Sequence, residues 1–95
     1  MTKQIRWAIV GCGDIARKRV APAINTDENS SLEMVIRRDA GKVKRFAEEF
    51  GSRKYATDIS EALRDEEVDA VYIATPVNLH MEQTVASAEA GKHVL

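Results

Sequence analysis

The sequence predicts an α/β protein built on a doubly wound parallel sheet of about five strands. Strand-like and helix-like patterns alternate along all 95 residues, and the connections between them are short. Parallel neighbours in a sheet need crossover connections, and right-handed crossovers place helices on both faces. The run at 69–75 is apolar at nearly every position, as expected of a parallel strand that is covered on both sides.

The first part of the chain predicts a strand, a helix and a second strand. An apolar-rich run at 5–10 predicts a buried strand, and the strand at 32–37 has the same character. Between them, 14–25 predicts a helix that Pro22 should break or kink, because proline lacks an N–H donor. The residues expected to face inward on this helix are Ile15, Ala16, Val20, Ala23 and Ile24.

A second helix is predicted to begin after Asp39, as its N-cap, and to end at Gly51 in the left-handed conformation. Its apolar residues recur at i, i+3, i+4 and i+7, which is the spacing of one helix face. These residues are Val43, Phe46, Ala47 and Phe50.

The second half of the chain continues the alternation with a strand at 53–56 and a helix that opens on the capping-box pair Asp58 and Glu61. The apolar strand at 69–75 follows, and a final helix at 79–90 precedes a last strand. The inward residues expected on these two helices are Ile59, Ala62 and Leu63 on the first, and Met81, Val85 and Ala88 on the second.

Composition disfavours several classes of function. Fourteen basic and fifteen acidic residues give a net charge of −1, which removes the electrostatic basis for a general nucleic-acid binder or a polybasic membrane module. Uninterrupted apolar stretches reach about five residues, far below the ~20 of a membrane helix. One cysteine excludes an internal disulfide and, with two histidines, disfavours a zinc site. No secretory signal is visible, so a single domain over 1–95 in the cytoplasm is expected.

A glycine-rich motif between a predicted strand and a predicted helix carries the chemistry. It fits G-x-G-x-x-A with Gly11-Cys12-Gly13-Asp14-Ile15-Ala16. Gly11 permits a tight turn, Gly13 lets the backbone approach a pyrophosphate, and free N–H groups at the helix N-terminus face the phosphates. The motif predicts dinucleotide binding by Gly11, Cys12, Gly13, Asp14 and Ile15. The alternative is a tight turn without a ligand, which is disfavoured because two glycines at this spacing have no evident packing role.

The residues that end the second predicted strand indicate which dinucleotide is bound. An NAD site usually has an acidic residue here, whose carboxylate accepts from the ribose hydroxyls. This chain has Arg37 and Arg38, whose guanidinium groups can bind a ribose 2′-phosphate in a bidentate way. NADP is therefore the expected cofactor, with NAD as the second choice and two solvated arginines as the alternative. Asp39 is expected to cap a helix rather than reach the ribose.

The segment after the fourth predicted strand supplies the remaining candidates for cofactor binding, which are Thr75, Pro76, Asn78 and His80. Ligands of open α/β sheets bind at the carboxyl ends of strands, near the point where the strand order reverses, and this favours contacts to the dinucleotide. An ordinary turn and a helix-capping histidine are the alternatives. No Ser-His-Asp, Cys-His or metal-binding spacing is found in the sequence, so no catalytic residue is predicted.

Five segments together resemble the N-terminal half of the glucose-fructose oxidoreductase/inositol dehydrogenase/rhizopine-catabolism (Gfo/Idh/MocA) family, and the resemblance covers the whole chain. They are AIVGCGDIAR (8–17), IRRD (36–39), FAEEFG (46–51), YIATPVNLHMEQ (72–83) and AGKHVL (90–95). The resemblance implies a Rossmann domain in which the glycine loop holds the pyrophosphate, Arg37 and Arg38 select the adenosine ribose, and 75–80 lies along the nicotinamide half. Family members often have Asn directly after Thr-Pro, where this chain has Val77.

The resemblance also implies a Glu-Lys-Pro motif after Leu95 and a second domain with most substrate contacts. Hydride transfer between nicotinamide and a sugar, cyclitol or related alcohol or carbonyl is therefore expected of a longer parent enzyme, and the isolated chain is expected to be inactive. A non-enzymatic NADP-binding or scaffold module is the alternative, and a methyltransferase-like domain is disfavoured because its ribose site also needs a carboxylate. The short last strand has an open edge, for which self-association or a partner chain is expected.

Overall fold

A computed structural model of the chain describes residues 4–11, 13, 19–75 and 77–95, with the side chain of Val77 excepted. Strands and helices alternate throughout this part of the chain, as the sequence predicts. In chain order they are β1 (Ile5–Val10), α1 (Ala21–Thr26), β2 (Ser30–Ile36), α2 (Ala40–Phe50), β3 (Lys54–Ala56), α3 (Ile59–Arg64), β4 (Ala70–Ile73), α4 (Val77–Glu89) and β5 (His93–Val94).

The described strands form a parallel sheet with the order β3-β2-β1-β4-β5. From β1 the chain adds β2 and β3 on one side, then crosses to the other side and adds β4 and β5. Val10, at the carboxyl end of β1, pairs with both Ile36 and Ile73, so the central three strands end level with one another. The predicted doubly wound fold is confirmed, and its strand order reverses between β1 and β4.

Helices cover both faces of the sheet, and each face has its own apolar layer. Successive residues of a strand point to opposite faces, so Ile9 lies in one layer while Ala8 and Val10 lie in the other. The first layer contains Ile9, Ala21, Ile24, Leu32, Val35, Val43, Phe46 and Ala47. The second contains Ala8, Val10, Met34, Ile36, Ala62, Val68, Val71 and Ile73. Burial on both faces explains why the central strands are apolar at nearly every position.

The first helix differs from the prediction of a helix over 14–25. Positions 14–18 lie outside the described residues, 19–20 form a π-type turn, and the α-helix is Ala21–Thr26. Pro22 lies in the first turn of α1, where its missing N–H would have had no intrahelical acceptor. Ile24 is buried as predicted, whereas Ala23 is exposed, so its predicted inward position is wrong.

Helix α2 forms with its predicted caps. The Oδ1 of Asp39 accepts a hydrogen bond from the backbone N–H of Lys42 at 3.0 Å, and Gly51 ends the helix with a φ of +70°. Phe50 is half-buried and packs on Phe46, with ring centroids 4.8 Å apart. The predicted inward face is confirmed by the burial of Val43, Phe46 and Ala47.

Helix α3 has only half of its predicted capping box. The Oδ1 of Asp58 accepts from the backbone N–H of Ser60 at 2.9 Å. The carboxylate of Glu61 pairs instead with Arg64, one turn further along the helix. The apolar side of α3 faces the sheet as predicted, with Ala62 fully buried.

Helix α4 presents a different face to the sheet from the one its sequence pattern predicts. Met81 and Val85 are 77% and 50% exposed, and Ala88 is exposed as well, so the predicted inward face is wrong. Ser87 is fully buried instead, and its hydroxyl donates to the carbonyl oxygen of Gln83 at 2.8 Å. A serine that bonds within its own helix can be buried without an unpaired polar group, and its small volume allows close packing on the sheet.

A buried carboxylate lies within a cluster of charges that we call the Lys54 cluster. Glu33 of β2 is 3% exposed, and the Nζ of Lys54 in β3 lies 3.2 Å from its Oε2. The same ammonium lies 2.7 Å from Asp65 and 3.0 Å from Glu67, in the loop before β4. Hydrogen bonds from Lys54 hold the pKa values of Asp65 and Glu67 below their usual values. The cluster therefore ties two strands to that loop and depends on the ionised carboxylates of Asp65 and Glu67.

The turn after β1 depends on a glycine. Gly11 has a φ of +88°, in the left-handed region that residues with a Cβ rarely adopt. A Cβ at this position would lie 2.9 Å from the carbonyl carbon and oxygen of Ala74 and from Cγ2 of Thr75. Gly11 thus has a packing role, contrary to the expectation from sequence. A Cβ on Gly13 would meet no described atom within 4 Å.

Acid should destabilise the protein through the Lys54 cluster. Because the folded-state pKa values of Asp65 and Glu67 are lowered, their contribution to stability is present above the pKa values of the unfolded chain and is lost as the pH falls through the lowered ones. We expect Lys54→Met to lower the thermal midpoint at neutral pH and to flatten its decline in acid. Lys44→Met, on the exposed side of α2, is the matched control. An unaltered pH profile in Lys54→Met would contradict the assigned cause.

Replacing Gly11 should destabilise the fold, whereas replacing Gly13 should not. We expect Gly11→Ala to lower the free energy of unfolding by about 2 kcal/mol or more, since the left-handed conformation and the contact with the backbone of Ala74 both oppose a Cβ. Gly13→Ala should stay within about 0.5 kcal/mol of the unaltered chain. Urea denaturation measures the difference, and equal midpoints for the two variants would refute the packing role.

Candidate functional site

Hydrogen bonds between loops bring three strand ends together. The backbone N–H of Gly11 donates to the carbonyl oxygen of Ile36 at 2.9 Å. The backbone N–H of Ala74 donates to the carbonyl oxygen of Val10 at 2.8 Å. The turn after β1 therefore lies between the loops after β2 and β4, where the strand order reverses. This is the edge at which open α/β sheets bind ligands.

A cleft of about 470 Å³ opens at this edge of the sheet. Four of the predicted site residues line it, namely Gly11, Arg37, Arg38 and Thr75. A larger cavity of about 730 Å³ lies along β3 between α2 and α3, but Gly11, Arg37 and Arg38 do not line it. The smaller cleft is the candidate site because it combines the glycine turn with the two guanidinium groups.

The two glycines of the motif have different surroundings, and this bears on the fit of a dinucleotide. Gly11 packs against the end of β4, as described above. Gly13 is exposed, and the space that a Cβ would occupy there is free of described atoms, so its backbone is open to a ligand. A diphosphate approaching the backbone needs such an opening. The other predicted residues of the motif, Cys12, Asp14 and Ile15, lie outside the described residues.

Arg37, Arg38 and Asp58 line the cleft, and Asp39 directly follows Arg38 in the chain. Arg37 is half-buried and Arg38 is exposed. The backbone N–H of Lys42 holds the pKa of Asp39 below its usual value, and a backbone N–H of α3 does the same for Asp58. Both carboxylates are thus occupied as helix caps, as the sequence predicts for Asp39. The guanidinium groups are the cationic groups among the described residues that line the cleft.

The segment after β4 contributes Thr75 to the cleft. The Thr75 hydroxyl donates to Oε1 of Gln83 in α4. Asn78 and His80 are exposed in the first turn of α4 and are not among the described residues that line the cleft, so their contacts to a cofactor stay predictions. Pro76 lies outside the described residues.

Several side chains of the cleft are not among the site residues predicted from the sequence, namely Thr57, Ile59, Leu79 and Gln83. Thr57 and Ile59 follow β3, and the rule applied to the end of β4 applies equally to the end of β3. Leu79 and Gln83 are four residues apart on α4, a spacing that places them on one face. The apolar residues Met81, Val85 and Ala88 predicted that the opposite face of this helix is inward, so Leu79 and Gln83 were not expected at the cleft.

The described residues contain neither a cluster of metal ligands nor a membrane-spanning helix. Within the described ranges, no group of three His, Cys, Asp or Glu side chains is placed to hold a metal ion. Among the helices of that part of the chain, none combines the length and the apolar character needed to cross a membrane.

Known proteins resemble this chain along nearly its whole length. A family model described as an oxidoreductase family with an NAD-binding Rossmann fold (GFO_IDH_MocA) matches residues 5–95. An oxidoreductase, P35, from Formosa agariphila is 36% identical over 99% of this chain and 29% of its own length. The 1,5-anhydro-D-fructose reductase of Ensifer adhaerens is 40% identical over 95% of this chain and 27% of its own length. The chain therefore spans less than a third of these relatives.

Solved structures agree with this assignment. KijD10, a 3-ketoreductase from Actinomadura kijaniata whose crystal structure contains TDP-benzene and NADP, matches with a TM-score of 0.93 and 35% identity over 98% of this chain and 29% of that one. The scyllo-inositol dehydrogenase of Lactobacillus casei matches with a TM-score of 0.89 and 27% identity over 99% of this chain and 28% of that one. The sheet order, the glycine turn and the similarity to known proteins together show that the chain belongs to the Gfo/Idh/MocA family of oxidoreductases, in which it corresponds to the NAD-binding Rossmann fold.

Proposed function

We propose that the chain is the NADPH-binding domain of an enzyme that reduces a carbonyl group of a sugar or a related compound. The observation that carries this proposal is the cleft in which the glycine turn after β1 faces Arg37 and Arg38 at the end of β2. The names of relatives support the substrate class, since they include 1,5-anhydro-D-fructose reductase and a dTDP-sugar 3-reductase that is 36% identical. The NADP complex of KijD10 supports the choice of cofactor.

The chemistry of the cleft supports a cofactor with an additional phosphate. Backbone N–H groups of the glycine turn would bind the diphosphate, because Gly13 leaves its backbone open. Arg37 and Arg38 would bind the ribose 2′-phosphate through charge-assisted hydrogen bonds. The nearest carboxylate in sequence, on Asp39, accepts a hydrogen bond from Lys42 and is engaged as a helix cap. A ribose hydroxyl that approached Oδ1 would therefore have to share this oxygen with the cap.

The residues of this chain would bind and orient the cofactor rather than transfer protons. When bound, NADPH supplies a hydride from C4 of its nicotinamide. Thr75, Pro76, Asn78 and His80 are proposed to contact the cofactor from the segment after β4. Asp58 is the carboxylate that lines the cleft, and its lowered pKa makes it a poor proton donor near neutral pH. We therefore propose that these 95 residues bind the cofactor without catalysing turnover alone.

Two further expectations belong to this proposal. A cytoplasmic location is supported by the single cysteine, which suits a reducing compartment. A second copy or a partner chain is proposed at the open edge of β5, which pairs with β4 over only two residues.

The cofactor preference tests the proposal. We expect NADPH to bind more tightly than NADH by about tenfold or more, the equivalent of one charge-assisted hydrogen bond. Arg38→Asp should abolish or reverse this preference, because a carboxylate repels the 2′-phosphate and accepts from a free ribose. Arg45→Asp, on the exposed side of α2, changes the net charge equally and is the control. Calorimetric titration measures the affinities, and equal values in the unaltered chain would show that the arginines do not select the cofactor.

An assay of NADPH oxidation with carbonyl sugars tests whether the chain binds the cofactor without catalysing its oxidation. We expect no turnover above background in samples for which titration shows bound NADPH, because the chain provides no suitable proton donor among the described residues that line the cleft. Sustained oxidation of NADPH with any of these substrates would refute this expectation. Addition of the longer parent protein to the same mixture is the positive control.

A further inference from the structure

A series of contacts connects α4 to the glycine turn. The hydroxyl of Thr75 donates to Oε1 of Gln83, and Cγ2 of Thr75 approaches Gly11 so closely that a Cβ on Gly11 would lie 2.9 Å from it. The two branches of one threonine are therefore held by two different elements. A β-branched side chain has few staggered positions at χ1, and these contacts together select one of them.

The position of Gln83 is itself held by the buried side of α4. The backbone carbonyl oxygen of Gln83 accepts a hydrogen bond from the hydroxyl of Ser87 at 2.8 Å, and Ser87 is fully buried. Gln83 is half-buried and lines the cleft together with Thr75 and Leu79. Its carboxamide thus reaches the cleft from a helix position that packing against the sheet has already fixed.

We propose that Gln83 is a positioning residue of the dinucleotide site and acts through Thr75 on Gly11, an inference that rests on the proposed function. While Gln83 holds the hydroxyl, the methyl group of Thr75 stays against Gly11 and maintains the turn that faces the diphosphate. Without this acceptor, the half-buried hydroxyl has to rotate towards another partner, because an unpaired hydroxyl is costly. Rotation about χ1 then places a different branch against Gly11 and moves the turn.

A purely structural role for Gln83 predicts the opposite response to an apolar substitution. Leucine has a volume similar to that of glutamine and stabilises a half-buried helix face that packs on a sheet. If Gln83 served only packing, Gln83→Leu would leave both stability and cofactor affinity unchanged or improved. If it positions Thr75, cofactor affinity falls while the stability of the free protein holds.

The test is a double-mutant cycle read out by calorimetric titration with NADPH. We expect Gln83→Leu to raise the Kd about fivefold, as for the loss of one ordinary hydrogen bond, with no fall in the thermal midpoint of the free protein. Thr75→Val keeps the shape of the side chain and removes the hydroxyl whose rotation would move the turn. The double variant should therefore bind NADPH as tightly as Thr75→Val alone, because without the hydroxyl Gln83 has nothing to hold.

Thr84→Val provides the matched control. Thr84 also lies on α4 and its hydroxyl bonds the carbonyl oxygen of His80 at 2.7 Å, but it does not line the cleft. Its Kd for NADPH should equal that of the unaltered chain. A failure of the unaltered chain to bind NADPH would overturn the proposed function and this inference together. An unchanged Kd in Gln83→Leu, additive losses in the double variant, or an equal loss in Thr84→Val would overturn the inference alone.

Discussion

The close approach between the turn after β1 and the end of β4 is the contact on which the cleft depends. Glycine is needed at position 11 for two reasons. Its φ is +88°, and a Cβ at this position would lie only 2.9 Å from the backbone of Ala74. Backbone hydrogen bonds then join this turn to Ile36 on one side and Ala74 to Val10 on the other. Because the constraint is steric and involves backbone, a side chain at Gly11 would separate the strand ends that form the walls of the cleft.

The charges that stabilise the fold are separate from those proposed to bind the cofactor. Arg6 and Asp69 form a bidentate pair with distances of 3.0 and 3.1 Å that joins β1 to the start of β4, and the Lys54 cluster joins β2 and β3 to the preceding loop. The residues of these ion pairs do not line the cleft. The Arg6–Asp69 pair and the Lys54 cluster thus lie apart from the residues that we propose to bind the cofactor.

Helix α4 illustrates a competition between patterning and site geometry. Its inward side contains the polar residues Gln83 and Ser87, while Met81 and Val85 face away from the sheet. The buried serine bonds within the helix, and the glutamine bonds Thr75 at the cleft, so neither polar group is left unpaired. The inward side of α4 is thus formed by the hydrogen-bonded residues Gln83 and Ser87 in place of the apolar residues Met81 and Val85.

The sequence by itself determined the alternation of elements, the parallel sheet, the caps at Asp39 and Gly51, and the presence of two guanidinium groups after β2. These features depend on residues that are neighbours along the chain, so local patterns are enough to predict them. Only the tertiary structure decided the packing of Gly11 on Ala74, the rotation of α4 and the inclusion of Gln83 in the cleft. Each of these arises where elements distant in sequence meet, and the shape and hydrogen-bonding demands of the partner surface are absent from a local pattern.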